Sequence, residues 1–143
     1  MKAAELKGRT RQFAVDVIGI VQKLPRTLPG KTVGEPLIRC GTALGSAYRS
    51  ACKSRNHYDF AARIAVVEEA ADECCYWFEV ILATELLKPR TVKPLLDEAQ
   101  TLKTIFVRSR KSAMKRLRQN TGGFGGGAGS GGPGTMGEDD IPF

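Results

Sequence analysis

Six residues at the end of the chain combine carboxylates with apolar side chains in a pattern suited to docking on a protein. This segment, called the tip below, consists of Glu138, Asp139, Asp140, Ile141, Pro142 and Phe143. Phe143 offers a ring and a free α-carboxylate on one residue, and Pro142 restricts the backbone before it, which lowers the entropy lost on binding. The carboxylates attract a basic rim and accelerate encounter. We therefore expect the tip to bind an apolar pocket with an arginine or lysine at its mouth.

A second set of binding residues lies near the end of the last helical segment, where seven basic residues occur without an acidic one. They are Lys103, Arg108, Arg110, Lys111, Lys115, Arg116 and Arg118. Steps of three and four place four of these on one helix face: Arg108, Lys111, Lys115 and Arg118. This basic stripe suits the phosphates of a nucleic acid, without sequence readout or base stacking. The alternative is a solvated helix end whose cations interact favourably with the helix dipole.

The third helical segment carries the opposite charge, and two interpretations are open. Its acidic residues are Glu68, Glu69, Asp72, Glu73 and Glu79. They form either a solvated face with ion pairs inside the domain, or an acidic subunit edge that meets a basic edge in a ring. The sequence favours the first interpretation.

Little in the sequence points to catalysis or to metal binding. Ser54, His57 and Asp59 crowd one connector, but closeness in sequence does not create the geometry of a triad. His57 is the only histidine, and neither a CxxC nor an HExxH motif occurs. We therefore expect no enzyme activity, no catalytic residue, no metal and no cofactor.

Composition predicts one helical domain in a reducing compartment. No apolar run approaches the roughly 18 to 20 residues needed to cross a bilayer, and the start of the chain lacks a secretory signal, so we expect a cytoplasmic protein without membrane contact. The cysteines lie within apolar helical pattern and are expected to remain thiols: Cys40, Cys52, Cys74 and Cys75. Residues 1–120 hold all 22 basic residues against 12 of the 15 acidic ones, a net charge of +10 that attracts polyanions.

Apolar residues that recur at steps of three and four predict four helices. The predicted ranges are about 3–23, 32–53, 57–87 and 91–118. Because short turns join four long helices, neighbours should be antiparallel. The predicted fold class is therefore all-α, an antiparallel up-down four-helix bundle over residues 1–120, followed by a disordered glycine-rich tail.

Local signals predict where the helices begin and end. The Pro29-Gly30 pair should belong to the first turn. The second helix should begin near Thr32, which stands three residues before Glu35 in the spacing of a capping box. Ser54 is the expected N-cap of the third helix.

The composition changes abruptly at residue 121. Residues 121–137 are mostly glycine with some serine, alanine and proline, which cannot bury enough surface to offset the entropy of ordering. We expect a flexible linker that reaches about 60 Å when fully extended. Residues 138–143, the tip, then form a separate peptide motif.

The body of the chain resembles a family of four-helix bundles encoded in intervening sequences of bacterial 23S rRNA genes, whose fold family includes the accessory variability proteins of diversity-generating retroelements. The likeness spans about residues 6–110 and rests on Phe13-Ala14, Leu24-Pro25, Leu37-Ile38-Arg39, Ser54, Asp59-Phe60, Glu69-Ala70 and residues 73–79. An asparagine-containing segment of the family is replaced here by residues 47–51, so its role is not transferred. The resemblance implies a homopentamer that binds a reverse transcriptase and nucleic acid.

The tip is similar to the acidic C-terminal tip of bacterial single-stranded-DNA-binding protein. The likeness covers residues 138–143 and includes their position behind a glycine-rich linker, but no oligonucleotide-binding β-barrel precedes them. In that family the tip docks onto genome-maintenance proteins. The resemblance implies the same class of partner here.

Three functions are compatible with these features. The first is a non-enzymatic oligomeric adaptor, in which the bundle binds nucleic acid or a reverse-transcriptase complex and the tips recruit genome-maintenance proteins. The second is a competitor that occupies the pockets for the tip without binding nucleic acid. The third is a bundle of unrelated role with an engineered tail. In addition, the acidic tip is able to fold back on the basic stripe, from which nucleic acid would displace it.

Overall fold

Four helices account for nearly all of the described chain, which in this computed structural model comprises residues 1–122 and 141. They are α1 (Ala3–Gln22), α2 (Leu28–Cys52), α3 (His57–Thr84) and α4 (Pro89–Gly122). No strand occurs in the described residues, and the helices form the predicted antiparallel up-down bundle. Except for residues 121, 122 and 141, the expected linker and tip lie outside the described residues.

The second helix begins four residues earlier than predicted, because Thr27 rather than Thr32 is positioned to cap it. The Thr27 hydroxyl accepts a hydrogen bond of 3.3 Å from the Gly30 N–H. The prediction that Pro29 and Gly30 form the turn between the helices is therefore wrong, because both lie in the first helical turn of α2, where the missing N–H of Pro29 removes no helical hydrogen bond. The predicted capping box at Thr32 is therefore wrong, and the Thr32 hydroxyl instead donates to the Leu28 carbonyl.

The cap of the third helix is also displaced from the predicted residue. Asn56 is the N-cap, and its side-chain oxygen accepts a hydrogen bond of 2.8 Å from the Asp59 N–H. Ser54 stands too early for this role, and its buried hydroxyl donates to the Ala51 carbonyl at the end of α2. The helix ends at Thr84, before Glu85 with its left-handed backbone at φ 56°.

The core contains the apolar faces of all four helices. The aromatic side chains that are fully buried are Phe13, Tyr48, Phe60, Phe78 and Phe106. The rings of Phe13 and Phe78 pack edge-on with their centroids 6.4 Å apart, and the ring centroids of Tyr48 and Phe106 are 5.7 Å apart. These two pairs connect α1 with α3 and α2 with α4, so each pair joins helices that are not consecutive in the chain.

Two cysteines meet inside this core as thiols. The Cys74 Sγ donates to the Cys40 Sγ over 3.2 Å, and all four cysteines are buried and none forms a disulfide. The hydrogen bond to Cys40 and burial raise the pKa of the Cys74 thiol above its ordinary range. The Cys74 thiol is therefore not ionised near neutral pH, which agrees with the expectation that it remains a thiol.

The up-down topology brings four helix termini together at each end of the bundle. At one end, called the tail end below, α1 and α3 begin while α2 and α4 finish. The side chains of Lys7, Cys52 and His57 belong to this end, and the chain leaves α4 here after Gly122. No helix among the described residues is long and apolar enough to cross a membrane.

Candidate nucleic-acid interface and peptide tip

The structure divides the seven predicted cations of α4 into two groups. Lys103 and Arg110 point toward α3, where the Lys103 Nζ lies 2.7 Å from the Asp72 Oδ1 and the Arg110 Nε lies 2.7 Å from the Glu68 Oε2. These hydrogen bonds raise the pKa of both basic groups. The two cations therefore join helices within the bundle, and their charge is already compensated.

Three of the remaining cations form an uncompensated row on the outer face of α4. Arg108, Lys111 and Lys115 are exposed, and no carboxylate of the described residues forms an ion pair with them. At a rise of about 1.5 Å per residue, they extend over about 10 Å of helix. Arg116 and Arg118 are exposed as well, although each interacts with another group. We call Arg108, Lys111 and Lys115 the outer stripe.

The acidic residues of α3 are divided in the same way. Glu68 and Asp72 are the carboxylates that pair with α4, which confirms for these two the interpretation as ion pairs inside the domain. Glu69, Glu73 and Glu79 are exposed and have no basic partner among the described residues. The two faces of α3 therefore differ, because one cross-links the bundle and the other presents acid to solvent.

A further basic cluster, which the sequence analysis missed, lies in the groove between α1 and α2. Its cations are Lys7, Arg11, Arg49 and Lys53. One cavity of about 260 Å³ has Lys7, Arg11 and Arg49 in its wall. A second, of about 450 Å³, lies at the tail end and is lined by Lys7, Arg49, Cys52 and Lys53. Among residues 1–122 and 141, no acidic residue lines either cavity, so this part of the groove is a concave cationic surface.

The sequence contains one indication of this cluster, which is the spacing of its cations within each helix. Lys7 and Arg11 are four residues apart, as are Arg49 and Lys53, and this spacing places each pair on one helix face. The two pairs are some forty residues apart in the chain, however. Only the antiparallel packing of α1 against α2 brings Lys7 beside Arg49 at the tail end.

Ile141 is the only residue of the predicted tip that the structure describes. Its side chain is 4% exposed, and it belongs to the buried apolar cluster of the bundle. The other five predicted tip residues lie outside the described residues: Glu138, Asp139, Asp140, Pro142 and Phe143. An apolar anchor of the tip is thus withdrawn from water although it stands nineteen positions beyond the end of α4.

Ser54, His57 and Asp59 lie around the start of α3, and the contacts of Ser54 and Asp59 are structural. The Asp59 carboxylate accepts hydrogen bonds of 3.1 Å from the Arg55 N–H and from the Arg63 Nε. The Arg55 N–H is the main cause of a lowered pKa of Asp59. Together with the hydrogen bond from Ser54 to Ala51, these contacts build a helix cap and a turn. Among residues 1–122 and 141, no three histidine, cysteine or acidic side chains cluster as metal ligands do.

The fold has a counterpart among solved structures. A protein of unknown function from the S23 ribosomal protein family of Bacteroides thetaiotaomicron VPI-5482 superposes with a TM-score of 0.68 at 20% sequence identity. The match covers 73% of this chain and 97% of that one. At such low identity it shows the shared helical fold alone. The sequence matches no protein-family model and no curated protein.

Proposed function

We propose that this protein is a non-enzymatic adaptor in which the outer stripe of α4 binds nucleic-acid phosphates and the tip binds a second protein. The observation that carries the first part is the uncompensated row of Arg108, Lys111 and Lys115. The neighbouring cations Lys103 and Arg110 are held by carboxylates of α3. Unlike these two, the three cations of the outer stripe are exposed and able to take up new anions.

The chemistry of the outer stripe favours binding without sequence readout. Three cations on one helix face match a phosphate backbone, and each phosphate that they neutralise releases a counterion. The described part of this face has no exposed aromatic side chain on which a base could stack. We therefore infer an affinity that depends on salt and tolerates any base sequence.

A salt titration tests the stripe directly. We expect the full chain to bind a fluorescent 20-mer duplex with an affinity that falls steeply between 50 and 200 mM salt. Replacing Arg108, Lys111 and Lys115 with glutamine should reduce the slope of log K against log salt by about 2.7, since each phosphate contact contributes about 0.9. Helical content measured by circular dichroism should remain the same.

The matched control neutralises the same number of exposed cations at the opposite end of the bundle. These are Lys31, Arg90 and Lys93, close to the starts of α2 and α4. The control variant should retain nearly all of the slope. If the two variants lose the same amount, only net charge matters and the outer stripe is not an interface.

The second part of the proposal is that the tip binds genome-maintenance proteins, the class of partner that its similarity to the tip of single-stranded-DNA-binding protein implies. Deleting Phe143 from the full chain should abolish capture of genome-maintenance proteins that read such tips. The deletion removes the aromatic anchor of the tip. Gly137→Ala, next to the tip, is the control, because it leaves all six tip residues in place and should have no effect on capture. Equal capture by the Phe143 deletion would refute this part.

The competitor function differs from the adaptor in one measurable respect. A competitor needs the tip but not the outer stripe, so its bundle has no affinity for nucleic acid at moderate salt. The titration above separates the two functions. We favour the adaptor because the outer stripe is uncompensated, which a protein acting through its tip alone does not require.

The resemblance to retroelement accessory proteins extends the adaptor proposal to assembly and to a reverse-transcriptase complex. The exposed Glu69, Glu73 and Glu79 of α3 offer an acidic edge for a basic edge of the next subunit in a ring. A ring of five would carry five tips and raise avidity without new contacts. Sedimentation equilibrium measures the subunit number, and a monomer at all concentrations would remove this extension.

A further inference from the structure

We propose that the groove between α1 and α2 is a second binding site for nucleic-acid phosphates, so that one chain holds two nucleic-acid segments at once. Arg11, Arg49 and Lys53 are the cations that receive the phosphates in this groove. The inference rests on the proposed function for the other segment, which binds to the outer stripe of α4. It goes beyond that function, because a protein with two such surfaces brings two nucleic acids together.

The charge of the groove is the first observation. Arg11, Arg49 and Lys53 are exposed, and none of them forms an ion pair with a carboxylate of the described residues. The dipole of α2 stabilises Arg49 and Lys53 near its C-terminal end, but Arg11 lies in the middle of α1 and gains nothing from it. Lys7 lines the groove as well and already interacts with another group. Packing α1 on α2 thus collects like charges that an anion between them would stabilise.

The groove carries these charges on both of its walls. Arg11 on α1 and Arg49 on α2 line the cavity of about 260 Å³. Arg49 also lines the cavity of about 450 Å³, together with Lys53, so the two cavities are neighbours along the groove. The α2 wall from Thr42 to Lys53 is about 16 Å long at about 1.5 Å per residue. A phosphate backbone that lies in the groove therefore meets cations from two helices.

The other residues of the groove favour a phosphate backbone over an acidic protein segment. A protein segment binds mainly through large apolar or aromatic anchors, and none of the exposed large apolar residues of the described chain lines either cavity. No aromatic side chain in these walls offers a surface for base stacking. The remaining lining residues are all small: Ala14, Thr42, Gly45, Ser46 and Cys52. The groove is therefore suited to recognition by charge, without sequence readout.

The groove and the outer stripe are too far apart to share one short duplex. The helices α2 and α4 face each other across the core, where the ring centroids of Tyr48 and Phe106 are 5.7 Å apart. Their outward surfaces are separated by two helices of about 10 Å diameter each, or about 20 Å of protein. A duplex of 20 base pairs is far shorter than the persistence length of about 150 base pairs and stays straight. Each surface therefore takes a duplex of its own.

Counting the duplexes bound per chain tests the proposal. A fluorescent 20-mer duplex is titrated with the full chain at 50 mM salt, with the duplex well above its dissociation constant. We expect two duplexes per chain for the wild type, and one after Arg11, Arg49 and Lys53 are replaced with glutamine. Arg11→Lys combined with Arg49→Lys keeps the charge and should retain two. Circular dichroism checks that each variant has the helical content of the wild type.

Two further variants separate this site from the outer stripe and from net charge. Replacing Arg108, Lys111 and Lys115 with glutamine should also leave one duplex per chain, and the control that neutralises Lys31, Arg90 and Lys93 should keep two. A groove variant that still binds as many duplexes as the wild type overturns the proposal, and so does an equal loss in the control. If the groove variant loses a duplex while the outer-stripe variant loses none, the groove is supported and the proposed function of the outer stripe fails.

Discussion

Arg9 and Glu98 join the first helix to the last through two parallel hydrogen bonds of 2.7 Å each. Their side chains are 31% and 27% exposed, so the pair is partly shielded from water. The hydrogen bond that the Arg9 guanidinium donates to Glu98 raises the pKa of Arg9. Since α1 meets α4 less extensively than its other neighbour, this pair is a principal link across the seam that closes the bundle.

Glu98→Gln should therefore destabilise the bundle although it changes few atoms. The glutamine keeps one acceptor oxygen but loses the charge and the second acceptor that the guanidinium uses. We expect the free energy of unfolding to fall by about 1 kcal/mol, because the pair is only partly buried. A urea titration measures it. Asp97→Asn, at the exposed neighbouring residue, should cost less than half as much, and equal effects would contradict the role of the pair.

Gly41→Ala should destabilise the contact between α1 and α2. A Cβ built at Gly41 would lie 2.6 Å from the Val17 Cγ1 and 2.9 Å from its Cβ, distances that require the helices to move apart. Overpacking of this kind costs about 1–3 kcal/mol, which exceeds the gain in helix propensity. Gly19→Ala is the matched control, because nothing lies within 4 Å of its Cβ. Thermal unfolding should show the control to be stabilised by up to about 1 kcal/mol and Gly41→Ala to be destabilised.

Ser109→Ala should stabilise the protein. The Ser109 hydroxyl is buried in α4 and has no hydrogen-bond partner among the described residues. Alanine removes this unsatisfied group and has a higher helix propensity, together worth about 1 kcal/mol.

Ser54→Ala should instead destabilise the protein, because the buried Ser54 hydroxyl donates a hydrogen bond of 2.6 Å to the Ala51 carbonyl. Its loss should cost about 1 kcal/mol in chemical denaturation. If Ser109→Ala is as destabilising as Ser54→Ala, the Ser109 hydroxyl has a partner and the expected gain is wrong.

Asp59 should make stability depend on pH in acid. Its folded pKa lies below the ordinary value of 3.8, chiefly because of the Arg55 N–H. A carboxylate with a lowered pKa contributes stability that is present above its unfolded pKa and is lost as the pH falls through its folded pKa. The Tm difference between the wild type and Asp59→Asn should be constant above a pH of about 5 and shrink below it. If the Tm curves of the wild type and of Asp59→Asn run parallel at every pH, the assignment is refuted.

The helices of this bundle were predictable because a helix with one buried face needs apolar residues at a spacing of three and four. Apolar steps of three and four mark α1 through α4 independently of which helix each one faces. Helix starts were less predictable. Thr27 and Thr32 are both suitable N-caps, as are Ser54 and Asn56, and the choice depends on where the turn places each side chain relative to the first free N–H groups.

The sequence by itself determined the all-α bundle, its excess of positive charge and the acidic tip, since these follow from residue types and short-range spacing. Only the tertiary structure decided which charges remain available. Seven cations share the end of α4 in the sequence, but Lys103 and Arg110 are compensated by carboxylates that packing brings from α3. The same packing assembles the groove around Lys7 and Arg49 from two helices. Electrostatic interaction depends on distance in space, which separation along the chain does not determine.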